Sequence, residues 1–236
     1  MVCKNDQENF RVSESCLIFK QVKSLKQFYS FLCEEEQLIP LKSTEEFSIE
    51  KLKGFQTSNQ VRAYLNNVLG QAGASGMFRA IWIVNETQII KVIKHNHDTH
   101  QNEKEVLNAQ CLGEQFAPKI IDYHPRYLWI LEERLAPQKI ETLFDAFEKL
   151  LNHRFKTWKE LKEFFHYSTD IERHEDYEYE YPHFKNLYSR LISENEWFMT
   201  LMNHLKKCNV GASDFHDENW GIRPSTGEVV LLDLGF

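Results

Sequence analysis

The texture of this chain changes near Pro137, and that change constrains its fold more than any other feature. Before it, runs rich in Ile, Val, Phe and Trp are broken by short polar links; after it, apolar residues recur every three or four positions. Met77 to Val84 and Gln88 to Ile93 read as two strands, and the Asn85-Glu86-Thr87 link suits a hairpin turn. A helix from about Gln101 to Cys111 follows, with Val106 and Leu107 as apolar anchors. Lys119 to Tyr123 and Tyr127 to Leu131 then read as a second strand pair around His124-Pro125.

Beyond Pro137, Ile140, Leu143, Phe144, Phe147, Leu150 and Leu151 share one helical face. Trp158, Leu161, Phe164 and Phe165 mark another helix, and Leu187 to Cys208 reads as one long amphipathic helix. Two short strands close the chain, Trp220 to Ile222 and Val229 to Leu232. Strands around one helix, followed by helices, predict an α+β protein of two lobes, strand-rich over residues 61–136 and helical over 137–236. Residues 1–60 read as a helical extension. There Leu25, Phe28, Tyr29 and Leu32 fall at helical spacing behind Ser24, a candidate N-cap; Ser58 is a candidate cap for a helix carrying Val61, Tyr64, Leu65 and Val68.

A net charge of −7 argues against broad binding to nucleic acid, which needs a basic footprint. No apolar run approaches the ~18 residues of a membrane span, and the N-terminus lacks a signal pattern. Five cysteines (Cys3, Cys16, Cys33, Cys111 and Cys208), odd in number and without a C-x-x-C pair, fit reduced thiols. The expectation is a cytoplasmic protein, although a signal-independent route of secretion leaves no such trace.

Phosphoryl transfer from ATP needs a backbone cradle, a cation on the phosphates, oxygen ligands for Mg²⁺ and a carboxylate at the acceptor hydroxyl. Candidates for each occur in order. The small-residue run Gly70-Gln71-Ala72-Gly73-Ala74-Ser75-Gly76 offers a cradle, because glycine lets backbone approach an anion. Lys91 lies within Ile89-Ile90-Lys91-Val92-Ile93, and a lysine among branched residues needs a partner. Lys94 is its rival, on the opposite strand face. The partner is Glu105 or Glu103 on the following helix, with Glu105 preferred because it precedes Val106-Leu107. Asp214 and Asn219 stand five positions apart, as in D-x-x-x-x-N, and Asp233 follows fourteen later. Asn219 and Asp233 form a hard oxygen set suited to Mg²⁺.

Asp214-Phe215-His216-Asp217-Glu218-Asn219 and Leu232-Asp233-Leu234-Gly235-Phe236 resemble the catalytic and metal loops of the protein-kinase-like superfamily. The Asp-x-His-x-x-Asn form is most similar to the aminoglycoside-phosphotransferase branch and to small kinase-like proteins of bacteria and phages. Glu132-Glu133-Arg134-Leu135 resembles the hinge that binds adenine through its backbone. The resemblance covers roughly residues 65 to 236 and implies a bilobal fold with ATP in the cleft. It implies that Asp214 orients the acceptor hydroxyl and that Asn219 and Asp233 hold Mg²⁺. Lys91, paired to Glu105, would hold the phosphates, with Gly70, Gly73, Ser75, Gly76, Glu133 and Leu135 around the nucleotide.

The chain departs from the family in three ways. Ala212 stands where a His precedes the catalytic Asp, the glycine spacing is irregular, and the sequence ends directly after Asp-Leu-Gly. Without an activation segment or later helices, the expectation is a minimal serine/threonine protein kinase that holds its protein substrate elsewhere. A small-molecule phosphotransferase, an AMP transferase and a nucleotide-binding pseudokinase are the alternatives. His95, His97 and His100 read as a solvated loop rather than a zinc site, and Asp170 to Tyr181 as a solvated acidic insertion.

Overall fold

A tight polar turn starts the sheet: Asn85 Oδ1 accepts hydrogen bonds from Thr87 N at 2.9 Å and Thr87 Oγ1 at 3.0 Å, closing a hairpin between two β-branched runs. The computed structural model describes residues 46–135, 138–169, 174–211, 215 and 219–234. The expected helix behind Ser24, and Ala212, Asp214, His216, Asp217, Glu218, Gly235 and Phe236, lie outside the described residues. The described fold is mixed α+β, with eight helices, a five-stranded antiparallel sheet and a separate two-stranded hairpin.

In chain order the elements are α1 Ile49–Lys53, α2 Ser58–Val68, β1 Ala74–Ser75, β2 Arg79–Asn85, β3 Gln88–Ile93, α3 Thr99–Leu112, β4 Ile120–Tyr123 and β5 Trp129–Glu133. Helices α4 Ile140–Leu151, α5 Trp158–Thr169, α6 His174–Glu180, α7 Phe184–Glu194 and α8 Glu196–Cys208 follow, then β6 Trp220–Ile222 and β7 Val229–Leu231. The large sheet runs β1-β2-β3-β5-β4, with α3 crossing between β3 and β4.

Strand alternation divides the sheet into two chemistries. Ala80, Trp82, Ile90, Val92, Trp129 and Leu131 pack with Val61, Leu65 and Val68 of α2 and Leu52 of α1 in one buried cluster. The register pairs Ile81 with Lys91, Ile83 with Ile89, Ile89 with Glu132 and Lys91 with Ile130, so these residues share the other face. Helix α1 thus belongs to the sheet's core, although residues 1–60 read from sequence as an extension. Helix α2 starts one residue before the expected cap. Thr57 accepts from Gln60 N in a capping box, while Ser58 is the first helical residue and its N–H donates to Asn96 Oδ1 at 2.8 Å.

A second cluster joins Ala109, Leu112 and Phe116 to α4, α5, α7, α8 and the β6–β7 hairpin. Phe147 and Trp220 meet edge to face at 4.9 Å, and Phe215 lies 5.1 Å from Trp220 and 5.5 Å from Phe165. Such pairs add about 0.5–1.5 kcal/mol each beyond area burial.

Three expectations are corrected. The apolar spacing from Leu187 to Cys208 runs across a break: Asn195, at φ −116° and ψ 101°, leaves the helix, caps α8 by accepting from Phe198 N at 2.8 Å, and donates to Leu150 O at 2.7 Å. Leu107 is no anchor; it is half exposed, because the inward stripe of α3 is Asn102, Glu105, Val106, Ala109 and Leu112. Finally, Cys111 and Cys208 form a disulfide. The packing of α3 against α8 brings their C-terminal ends together with Cα atoms 5.7 Å apart across 97 residues of sequence. The reading of all five cysteines as reduced thiols is wrong for this pair, and the thiol count no longer argues for a reducing compartment. Among the described residues no helix is long and apolar enough to cross a membrane.

Candidate active site

The second face of the sheet, lined mostly by isoleucines, delivers Lys91 to a buried cluster of charges. Lys91 Nζ bonds Glu105 Oε1 of α3, meets Glu132 Oε1 of β5 at 2.8 Å, and donates to the carbonyl of Leu232 at 3.1 Å. Of the two rivals, Lys94 is only half-buried and beyond the strand, and Glu103 is exposed. The buried helix face selects Glu105, as its place before Val106 suggested. Two side chains that the sequence did not single out complete the cluster. Arg79, first residue of β2, bonds Glu105 Oε2 through Nη1 and Asp233 Oδ1 through Nη2 at 2.6 Å. Glu132 is buried, and its Oε2 has no hydrogen-bond partner among the described residues. Burial pushes the Glu132 carboxyl above its ordinary range, against the pull of the Lys91 charge and hydrogen bond.

Two cations therefore face three carboxylates. The hairpin β6–β7 positions the last of these. Trp220 pairs with Leu231, and Leu232 N donates to Asn219 O at 2.9 Å, which puts Asn219 and Asp233 on the adjoining ends of two paired strands. Asn219 is buried and the Asp233 side chain is 38% exposed. Asn108 Nδ2 donates to Leu234 O at 2.8 Å, so α3 grips the Asp233 segment as well as Lys91. Phe215 is buried in the aromatic cluster. A carboxylate and an amide oxygen on neighbouring strand ends suit Mg²⁺, which binds few protein oxygens and keeps water for the rest.

Beside the charges a tight cleft of about 30 Å³ is lined by Ile81, Ile83, Ile89, Lys91, Pro118, Glu132, Glu133, Arg134, Leu135 and Leu232. Its walls are mostly apolar with charged groups at one end, the lining of a small-molecule site, but in this structure it has room only for a water or two. Glu133 and Leu135 are among the lining residues, but the Glu133 carboxylate is spoken for. Arg223 donates to it from Nε at 2.9 Å and from Nη2 at 3.0 Å, to Glu228 at 2.5 Å, and to the Glu114 and Ala117 carbonyls. The floor rests on Gly221, where an added Cβ would stand 2.8 Å from the Leu232 side chain.

The glycine run divides. Gly70, at φ +82°, ends α2 and receives Trp82 Nε1 on its carbonyl at 3.0 Å, a helix stop rather than part of a cradle. Gly73 N donates to Ile81 O at 2.9 Å, Ala74–Ser75 pairs with β2, and Gly76 opens the turn carrying exposed Met77 and Phe78. Only Gly73, Ser75 and Gly76 thus belong to a hairpin above Arg79. The His95 and His97 rings are exposed and stacked on each other. In the acidic tyrosine stretch, residues 174–180 are helical, with Tyr177 buried and Tyr179 almost fully exposed. A larger hollow near the end of α4 has mixed charges (Asp145, Glu148, Lys149, Arg154) and none of the groups above.

Comparison with known family models, with curated protein sequences and with solved structures finds no match.

Proposed function

We propose that this chain is a Mg·ATP-dependent phosphotransferase with a bilobal, protein-kinase-like core, acting on a hydroxyl group, with a protein serine or threonine as the leading acceptor. One observation carries the reading. Lys91 on β3 is bonded to Glu105 on the next helix and to the backbone beside Asp233, at the end of an apolar cleft. This is the lysine–glutamate pair that kinase chemistry needs in order to hold the α- and β-phosphates. Ile81, Ile83, Leu135 and Leu232 suit the faces of a flat base, and the 132–135 segment offers its backbone to the base edge. The Glu133 side chain, held by Arg223, serves that segment's position.

Asn219 and Asp233 would hold Mg²⁺, which supplies charge neutralisation on the transferring phosphate. The hairpin carrying Gly73, Ser75 and Gly76 covers the phosphates, and Asp214 orients the acceptor hydroxyl. Asp214→Ala and Asp233→Asn should each lower transfer of the γ-labelled phosphate by a hundredfold or more, of the order that a lost electrostatic contact costs. Transfer unaltered in both variants would refute the assignment. Label carried over from the α-position instead would mean AMP transfer, and phosphosite mapping in an ATP-treated lysate separates protein from small acceptors.

A further inference from the structure

Arg79 has no part in the machinery proposed above, yet it is bonded to two of its members. Its guanidinium, 11% exposed, bridges Glu105 and Asp233, linking the root of the β1–β2 hairpin to α3 and to the Asp233 segment. Stability does not account for the second bond. Asp233 is more than a third exposed, and ion pairs at such positions contribute little.

What the bond does control is the carboxylate. Asp233 Oδ1 receives a charge-assisted hydrogen bond at 2.6 Å, so its lone pair is directed at a guanidinium. A divalent cation arriving at the same carboxylate would meet that positive charge at close range, and the two repel. Glu105 gives Arg79 a second anchor, so the guanidinium can release Asp233 without becoming an unpaired buried charge.

Building on the phosphotransferase reading, we propose that Arg79 competes with the divalent cation for Asp233. It sets the metal concentration at which nucleotide binds. Arg79 is then a positioning residue acting through Asp233, and Mg·nucleotide binding moves Asp233 from the guanidinium to the metal.

Binding of the fluorescent nucleotide N-methylanthraniloyl-ADP, titrated with Mg²⁺, tests this without any turnover. Arg79→Gln should lower the half-saturating Mg²⁺ concentration by about tenfold, the scale of one lost charged hydrogen bond. Affinity in EDTA should not tighten. Arg79→Lys keeps the charge but loses the fork, and should shift the requirement the same way by less. If melting curves show that Arg79→Gln does not fold, Arg79→Lys decides alone. A Mg²⁺ requirement unchanged or raised in a folded variant overturns the proposal, as does equal tightening with and without metal. Wild-type protein that binds the probe at no Mg²⁺ concentration overturns this proposal and the phosphotransferase reading together.

Discussion

Arg79 and Arg223 are equally buried arginines, each bonded to two carboxylates, and they differ in what is left over. Arg223 spends Nε, Nη1 and Nη2 on Glu133, Glu228 and two backbone carbonyls. It fastens the end of β5, the turn after α3 and the β6–β7 hairpin into one joint. Around Arg79 the accounts do not close: three carboxylates crowd two cations, one Glu132 oxygen has no hydrogen-bond partner among the described residues, and Asp233 reaches solvent. Among the described residues the Arg223 network leaves no buried side-chain donor or acceptor unmatched, whereas the Arg79 network does.

The two networks meet the same stretch of chain, with Glu105 on α3 and the Glu114 and Ala117 carbonyls just past its end, and Cys111 lies between them. Breaking the Cys111–Cys208 bond should therefore weaken both, and it is the largest expected effect. For a loop of 97 residues the loss is about 4–5 kcal/mol by chain entropy. Urea denaturation with and without reductant measures it, and equal stabilities would show that the linkage does not form. Next in size, Arg223→Met should cost about 2–3 kcal/mol, because it strands two carboxylates and two carbonyls. Arg79→Gln should cost clearly less, since Lys91 remains on Glu105. Equal losses in thermal melts would erase the contrast.

The smallest effect is the most diagnostic in sign. Glu132, folded, titrates above its ordinary 4.5 because burial disfavours its charge. Its contribution is full below pH 4.5 and is lost as pH rises through the raised value. Glu228 titrates below 4.5, held down first by the Thr226 hydroxyl and then by Arg223, so its contribution is full above pH 4.5 and is lost as pH falls through the lowered value. Melting curves across both sides of pH 4.5 should show Glu132→Gln flattening the alkaline side and Glu228→Gln the acid side. Exchanged signs would break the comparison.

Much of this was readable from the residues alone. Lys91 was visible because a charge inside a five-residue apolar strand has no bland explanation, and Glu105 because it stands on the buried stripe of the next helix. Both sheet hairpins were legible from β-branched runs and an Asx turn. Arg79 was not, because it falls near the start of the Met77 to Val84 run and nothing local reveals the partners that α3 and the Asp233 segment bring to it. Glu132 was read only as part of a hinge, since nothing local reveals that it faces Lys91 across two strands. The Asn195 break was hidden because α7 and α8 keep one apolar phase across it, and the disulfide because no spacing encodes a contact 97 residues away.

Gly221 carries a last consequence. The cleft floor is Leu232, and Leu232 can lie as low as it does because the residue beneath it has no side chain. The height of the cleft is thus fixed from below by a missing methyl group. Gly221→Ala would push the leucine upward and shave the chamber from its least polar side. Ligands too thick for the reduced gap would be rejected while thinner ones still enter, turning one omitted carbon into a thickness gauge.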